Sequence, residues 1–151
     1  MMMMCSYLYL CDIFSIVCFE LLTLLYVVTF YIMLQEYLLS RELDEAASCV
    51  RELKAKHFHH ELVKRGVKIA MEEDGRDHAS KSSSLDAMAA LFKFLVQNSI
   101  VSEFQVAKGV QRLEKILPDL KLDVPAAPSM LDEFETLARE QGFLHIPSRK
   151  A

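Results

Sequence analysis

The sequence has few of the residues that form turns and linkers. Its 151 residues include only 4 glycines and 4 prolines. Strands in a sheet need frequent turns, and turns need Gly, Pro and Asn, so this scarcity favours helices. It also excludes the collagen-like and low-complexity classes. Basic residues are not in surplus either, since 17 Lys and Arg stand against 21 Asp and Glu. A general nucleic-acid-binding composition is therefore absent, and no direct contact with nucleic acid is expected.

Cysteines are few and are not spaced as metal or redox motifs. Three of them, Cys5, Cys11 and Cys18, lie in the apolar first part of the chain, and Cys49 is the fourth. No CxxC pair exists, which argues against a zinc ribbon and against a dithiol redox site. We predict Cys49 to be a small side chain of the core, and we expect neither a metal nor another cofactor.

The first part of the chain lacks basic residues altogether and is strongly apolar. Residues 13–34 carry one charge, Glu20, and are long enough to cross a bilayer. They are either a membrane anchor or an extension of the reading frame that is foreign to the true protein. A signal peptide is disfavoured because neither a basic start nor a small-residue cleavage site is present. If the segment is an anchor, the basic residues that follow it place the remaining domain in the cytoplasm.

These features divide the chain into three parts. Residues 1–31 form the apolar segment, which we expect to be either helical and unpacked against the rest or absent from the true protein. Residues 32–145 form a helical domain, and residues 146–151 form a tail.

Apolar residues recur at three- and four-residue spacing through the domain, which predicts an all-α fold of about six helices. The first helix ends within the EYLLS stretch at 36–40. Ser102 and Gln105 have the spacing of a capping box at the start of the fifth helix, and Pro118 is predicted to stop that helix. Helices joined by short loops indicate a stack of helical hairpins of the solenoid kind.

Three histidines lie close together in the run His57 to His60, which also contains Phe58. Such a run is a candidate metal-binding site. The sequence from His60 approaches the HExxH motif, but Lys64 occupies the position of its second histidine. A metal site also needs further ligands at a fitting distance. We therefore interpret the run as the start of a helix, with imidazoles that are hydrogen-bonded or solvated.

The segment from Pro118 to Pro125 is short and acidic. We expect its two prolines to exclude helix between them, so that Asp119 and Asp123 lie on a stiff connector. These carboxylates could cap the next helix and keep the connector soluble, or form an acidic epitope for a basic partner. A paired-carboxylate enzyme is less favoured because no cleft is expected around such a connector.

Four stretches resemble an MA-3 domain, and most of all the C-terminal MA-3 domain of the programmed cell death protein 4 family. They are EYLLS at 36–40, DEAASCVREL at 44–53, HFHHELV at 57–63 and PDLKLDVP at 118–125. The likeness covers about residues 33–144. One difference is the turn after EYLLS, which usually contains Gly-Asp in the family and contains Arg41-Glu42 here.

The resemblance implies a HEAT-like stack of helical hairpins without enzymatic activity. It implies binding to a DEAD-box RNA helicase, initiation factor four-A, with inhibition of cap-dependent translation initiation in the cytoplasm and also in the nucleus. By motif alignment Asp119, Asp123 and Pro125 are the contact positions, and Leu122 and Val124 complete the predicted partner-binding site. The alternative is a membrane-tethered helical adaptor with a different protein partner.

Overall fold

The computed structural model describes residues 17–76 and 83–145. Within these ranges the chain forms six α-helices and one short 3₁₀ helix, with no strand, so the all-α prediction is confirmed there. The helices are α1 (Val17–Ser40), α2 (Leu43–Leu53), α3 (His59–Arg76), α4 (Ser84–Gln97), α5 (Glu103–Asp123) and α6 (Ala127–Glu140), and the 3₁₀ helix Lys56–Phe58 precedes α3.

Consecutive helices pair, and the pairs stack. Helix α1 contacts α2, α3 contacts α4, and α5 contacts α6. Neighbouring pairs contact each other through both of their helices. Helix α3 packs against α1 and α5, and α4 packs against α2 and α6. This arrangement is the predicted stack of helical hairpins, with α3 at its centre.

Helix α1 crosses the predicted boundary at residue 31 without a break. Tyr26, Thr29 and Phe30 precede that boundary, and all three are buried within the same domain as Met33 and Leu34, which follow it. The expectation that residues 1–31 stay unpacked is therefore wrong for residues 26–30. The reason is that the apolar run continues the stripe of a core helix. Expectations about residues 1–16, with Cys5 and Cys11, fall outside the described residues.

Helix α5 continues through Pro118, so the prediction that this proline stops the helix is wrong. A proline inside a helix costs about 3 kcal/mol because it lacks an N–H and crowds the preceding turn. Continuing the helix, however, buries Leu120 on the face that already carries Leu113. Tertiary packing of this kind can outweigh a local penalty. Asp119 and Asp123 consequently lie on the helix, and not on an extended connector.

The turn between α1 and α2 has a backbone that favours glycine. Arg41 has φ of 61°, the left-handed conformation, in which a residue with a Cβ is strained. Its backbone N–H donates to Tyr37 O at 2.7 Å, and its Nε donates to Leu38 O at 2.9 Å. Local hydrogen bonds therefore hold an arginine at a position for which glycine would be the unstrained choice.

Asp74, in the last turn of α3, caps the start of α4. Its carboxylate accepts hydrogen bonds from the backbone N–H of Ser84 at 2.7 Å and of Leu85 at 3.1 Å, and from the Ser83 hydroxyl at 2.8 Å. A carboxylate that satisfies free N–H groups at a helix start is stabilising. This contact ties the end of α3 to the start of α4.

Candidate functional site

The predicted site lies at the corner between α5 and α6, which we call the acidic corner and define as residues 119–125. Asp119 and Asp123 are four residues apart on α5 and therefore share one face of its last turns. Leu122 lies beside them and is 83% exposed. Both carboxylates are also exposed. The corner thus presents two negative charges beside one exposed apolar side chain.

These carboxylates lie where the helix itself disfavours them. The carboxyl end of a helix carries partial negative charge, and acidic side chains there cost about 0.3–1 kcal/mol each. Lys121 is the one basic residue in the last turn of α5. The negative potential of the acidic corner is therefore reinforced by the backbone, and it would be relieved by a cationic group from outside.

Val124 and Pro125 fix the geometry of the corner. Val124 is buried, whereas the other four residues of the predicted site are exposed. Its N–H donates to Leu120 O at 2.8 Å, and its own carbonyl accepts from Ala127 N–H at 3.0 Å. Pro125 follows Val124 in this turn, at a position for which its fixed φ is suited. A Cβ on Gly75 would lie 3.3 Å from a Val124 methyl group, so the corner packs directly on α3.

A groove of about 550 Å³ opens beside the acidic corner. Glu72, Gly75 and Arg76 of α3 line one side, and Asp123 and Pro125 belong to the other. The sequence did not predict a cleft here, because it formed from two segments that are far apart in the chain. The acidic corner therefore borders a concave surface that carries charges of both signs.

The histidine run begins α3, as predicted, and two of its imidazoles are buried. The His60 backbone N–H donates to Gln105 Oε1 at 3.2 Å, and His60 Nδ1 lies 3.2 Å from the same oxygen. Ser102 Oγ accepts from the Gln105 backbone N–H at 3.3 Å, which is half of the predicted capping box. The Gln105 side chain is turned to His60 instead of back to Ser102. Over residues 17–76 and 83–145, no three His, Cys, Asp or Glu side chains are grouped to hold a metal ion.

His59 should make the fold sensitive to mild acid. Burial lowers its pKa from 6.5 to about 4, and the nearby charges of Lys56, His57 and His60 act in the same direction. The unfolded chain therefore binds a proton first as the pH falls below 6.5, and stability is lost between there and about pH 4. We expect the free energy of unfolding to fall by about 2 kcal/mol between pH 7 and pH 5 from this residue alone.

Chemical denaturation at both pH values measures this effect. His59→Gln should remove most of the pH dependence, whereas His57→Gln, at an exposed position, should keep it. Equal slopes for wild type and His59→Gln would contradict the assignment.

The chain resembles proteins with an established domain type. A sequence model described as the MA3 domain matches residues 28–145. Programmed cell death protein 4 of Gallus gallus is 35% identical over 117 residues, which are 78% of this chain and 24% of that protein. The Rattus norvegicus protein of the same name is 37% identical over 102 residues, 68% of this chain and 20% of that protein. MA3 domain-containing translation regulatory factor 2 of Arabidopsis thaliana is 34% identical over 119 residues, 79% of this chain and 16% of that protein. The chain spans a quarter or less of the length of these curated relatives.

Proposed function

The chain belongs to the MA3 domain family, and we propose that it is a binding module that regulates translation, without catalysis of its own. The names of the relatives carry the regulatory part of this proposal, since one of them is called a translation regulatory factor. The proposed partner is the DEAD-box helicase initiation factor four-A, and the proposed effect is inhibition of cap-dependent initiation. The proposed location is the cytoplasm, and also the nucleus.

The observation that carries the proposal is the exposed acidic corner. Asp119 and Asp123 share a helix face, and the exposed Leu122 lies beside that face on the same turn. An apolar anchor flanked by charges is typical of an interface whose partner has an apolar recess ringed by Lys and Arg. Pro125 lies exposed at the end of the same turn. We propose that Val124, being buried, holds this surface in position through its contact with α3.

The proposal predicts that neutralising the two carboxylates separates binding from stability. Asp119→Asn together with Asp123→Asn should weaken binding to the helicase by about tenfold or more, because cationic groups of the partner lose their counterparts. The same change should leave the melting temperature unchanged or raise it, because it removes negative charge from the carboxyl end of α5. Titration of the full chain against the purified helicase, with thermal denaturation alongside, measures both effects.

A matched control neutralises two exposed carboxylates away from the corner. Glu133→Gln with Glu140→Gln changes the net charge equally on α6 and should keep the affinity. Binding should also weaken with added salt, because exposed charge pairs are screened over about 8 Å at physiological ionic strength. If the corner variant is folded and binds as tightly as wild type, the acidic corner is not the contact surface.

The second candidate function is that of a membrane-tethered adaptor, in which α1 would be the membrane anchor. Within the described residues the stretch Leu21–Ser40 is long and apolar enough to cross a membrane. Leu21 and Leu24 are each 59% exposed, whereas Tyr26 and Phe30 are buried in the domain. A helix that packs one face on the domain core is not free to be surrounded by lipid. Release of the full chain from cell membranes by alkaline carbonate would count against the anchor, and retention would favour it.

A further inference from the structure

A second groove lies at the other end of α3, and the charged residues that line it are all basic. Helix α3 begins at His59 and ends at Arg76, so its ends are about 25 Å apart. The groove at its start has a volume of about 480 Å³, and no acidic residue lines it. The lining includes four exposed side chains that are cationic or can become so: Arg51, Lys54, Lys56 and His57. We call these four residues the basic rim.

The backbone around this groove is strained at two places. Lys54 ends α2 with φ of 49°, and Ser99 follows α4 with φ of 57°. Both residues line the groove. A helix usually ends with glycine in this conformation, because a Cβ is disfavoured there. The chain instead places a lysine at the first position, and that lysine contributes a positive charge to the rim.

Exposed positive charges cluster at this end of α3. His59 is buried under the rim, and beyond burial itself the charges of Lys56 and His57 lower its pKa. Positive charges this close together repel one another, and a bound anion would relieve that repulsion. Over residues 17–76 and 83–145, no carboxylate forms an ion pair with Arg51, Lys54 or Lys56.

The groove has an aliphatic floor beneath the basic rim. Ile100, between α4 and α5, is half-buried and lines it, as does Val50 of α2, which is 1% exposed. Asn98 and Ser99 add hydrogen-bonding groups on the same side. A ligand that fills such a site needs negative charge at its edges and an apolar group at its centre.

We propose that this groove binds an acidic peptide segment of a partner protein. Its Asp or Glu carboxylates lie against the basic rim, and an aliphatic side chain between them lies on Ile100. Such a segment complements both the positive charge of the basic rim and the apolar surface of the floor. The site is separate from the acidic corner, so the domain would hold two partners, or two parts of one partner, at opposite ends of α3.

Single-stranded nucleic acid fits the groove less well. It is held by a stripe of cations along its backbone and by aromatic rings on which the bases stack. The basic rim is a compact cluster in which the imidazole of His57 is the one ring that lines the groove with an exposed side chain. Phe58, next to it, is half-buried against Tyr26, with ring centroids 5.5 Å apart. The aliphatic floor offers a base no ring on which to stack.

The test is fluorescence anisotropy of the full chain with three labelled probes. They are a peptide of alternating Asp and Leu, a peptide of alternating Asp and Ser, and oligouridine. We expect the Asp-Leu peptide to bind most tightly. Lys54→Glu with Lys56→Glu should weaken that binding by about tenfold or more, because attraction becomes repulsion at two positions. If that variant does not fold, Lys54→Asn with Lys56→Gln removes the charges and suits the left-handed backbone at residue 54.

A matched control reverses two lysines outside the groove. Lys68→Glu with Lys115→Glu makes the same change in net charge outside both grooves and outside the acidic corner and should bind the Asp-Leu peptide like wild type. Equal weakening by both pairs of substitutions would overturn the proposal in favour of a general charge effect. Tighter binding of oligouridine than of either peptide would overturn it in favour of nucleic acid. Failure of the Asp-Leu peptide to bind would also overturn it. None of these outcomes depends on helicase binding at the acidic corner.

Discussion

A chain that starts at residue 32 should lose cooperative unfolding, although the sequence places the domain boundary there. The truncation deletes Tyr26, Thr29 and Phe30, all of which are buried. Removing a buried phenylalanine side chain costs about 3–5 kcal/mol, and the whole stability of a domain is about 5–15 kcal/mol. The truncation removes three buried side chains and the helix turns that carry them. It should therefore remove most of the free energy of unfolding. Thermal denaturation followed by circular dichroism measures the transition.

Point substitutions on α1 isolate the packing contribution. Phe30→Ala in the full chain should lower the free energy of unfolding by about 4 kcal/mol, because Phe30 is 1% exposed. The adjacent Tyr31 is a matched control, since it is also aromatic but 49% exposed. Tyr31→Ala should change stability by no more than about 1 kcal/mol, including the loss of its hydrogen bond from Gln35. Equal effects of the two substitutions, or a sharp transition in the truncated chain, would mean that α1 is dispensable to the core.

The helices were predictable from sequence because each has a local cause. Leu85, Met88, Phe92 and Leu95 recur at helical spacing, and all four are buried on α4. Ser102 caps α5 as its spacing with Gln105 predicts. The two errors at helix level, the unpacked segment and the stop at Pro118, arose where a contact from elsewhere in the chain decides the outcome. Local rules assign a proline to a helix end, but they do not include the burial of Leu120.

The candidate site was predictable only in part. The residue types of the acidic corner can be identified in the sequence, and Asp119, Leu122 and Asp123 are exposed. The groove beside them could not be predicted, because Gly75 and Pro125 meet only through the packing of α3 on the corner. The basic rim was missed for the same reason. Lys54 and Lys56 are ordinary surface lysines in the sequence, and their neighbours across the groove lie more than forty residues later.

Gly109→Ala should destabilise the fold strongly, although alanine is the better helix former. The substitution gains up to about 1 kcal/mol in helix propensity. A Cβ at this position would lie 2.7 Å from the His60 carbonyl oxygen and 2.7 Å from Val63 Cβ, and both atoms belong to the rigid first turns of α3. Neither can move without shifting the contact between α3 and α5, the most extensive contact between two helices of the described residues. We expect a net loss of about 3 kcal/mol in the free energy of unfolding.

Gly75→Ala is the matched control for this prediction, because it makes the same change in α3. A Cβ there would lie 3.3 Å from a single methyl group of Val124, which can yield by a few tenths of an ångström. The gain in propensity and the mild crowding should nearly cancel, leaving stability within about 1 kcal/mol of wild type. Urea denaturation of both variants separates the two cases. If Gly109→Ala is as stable as Gly75→Ala, α3 and α5 do not approach each other as closely as the structure shows at Gly109. The contact between His60 and Gln105, which joins the same two helices, would then also be in question.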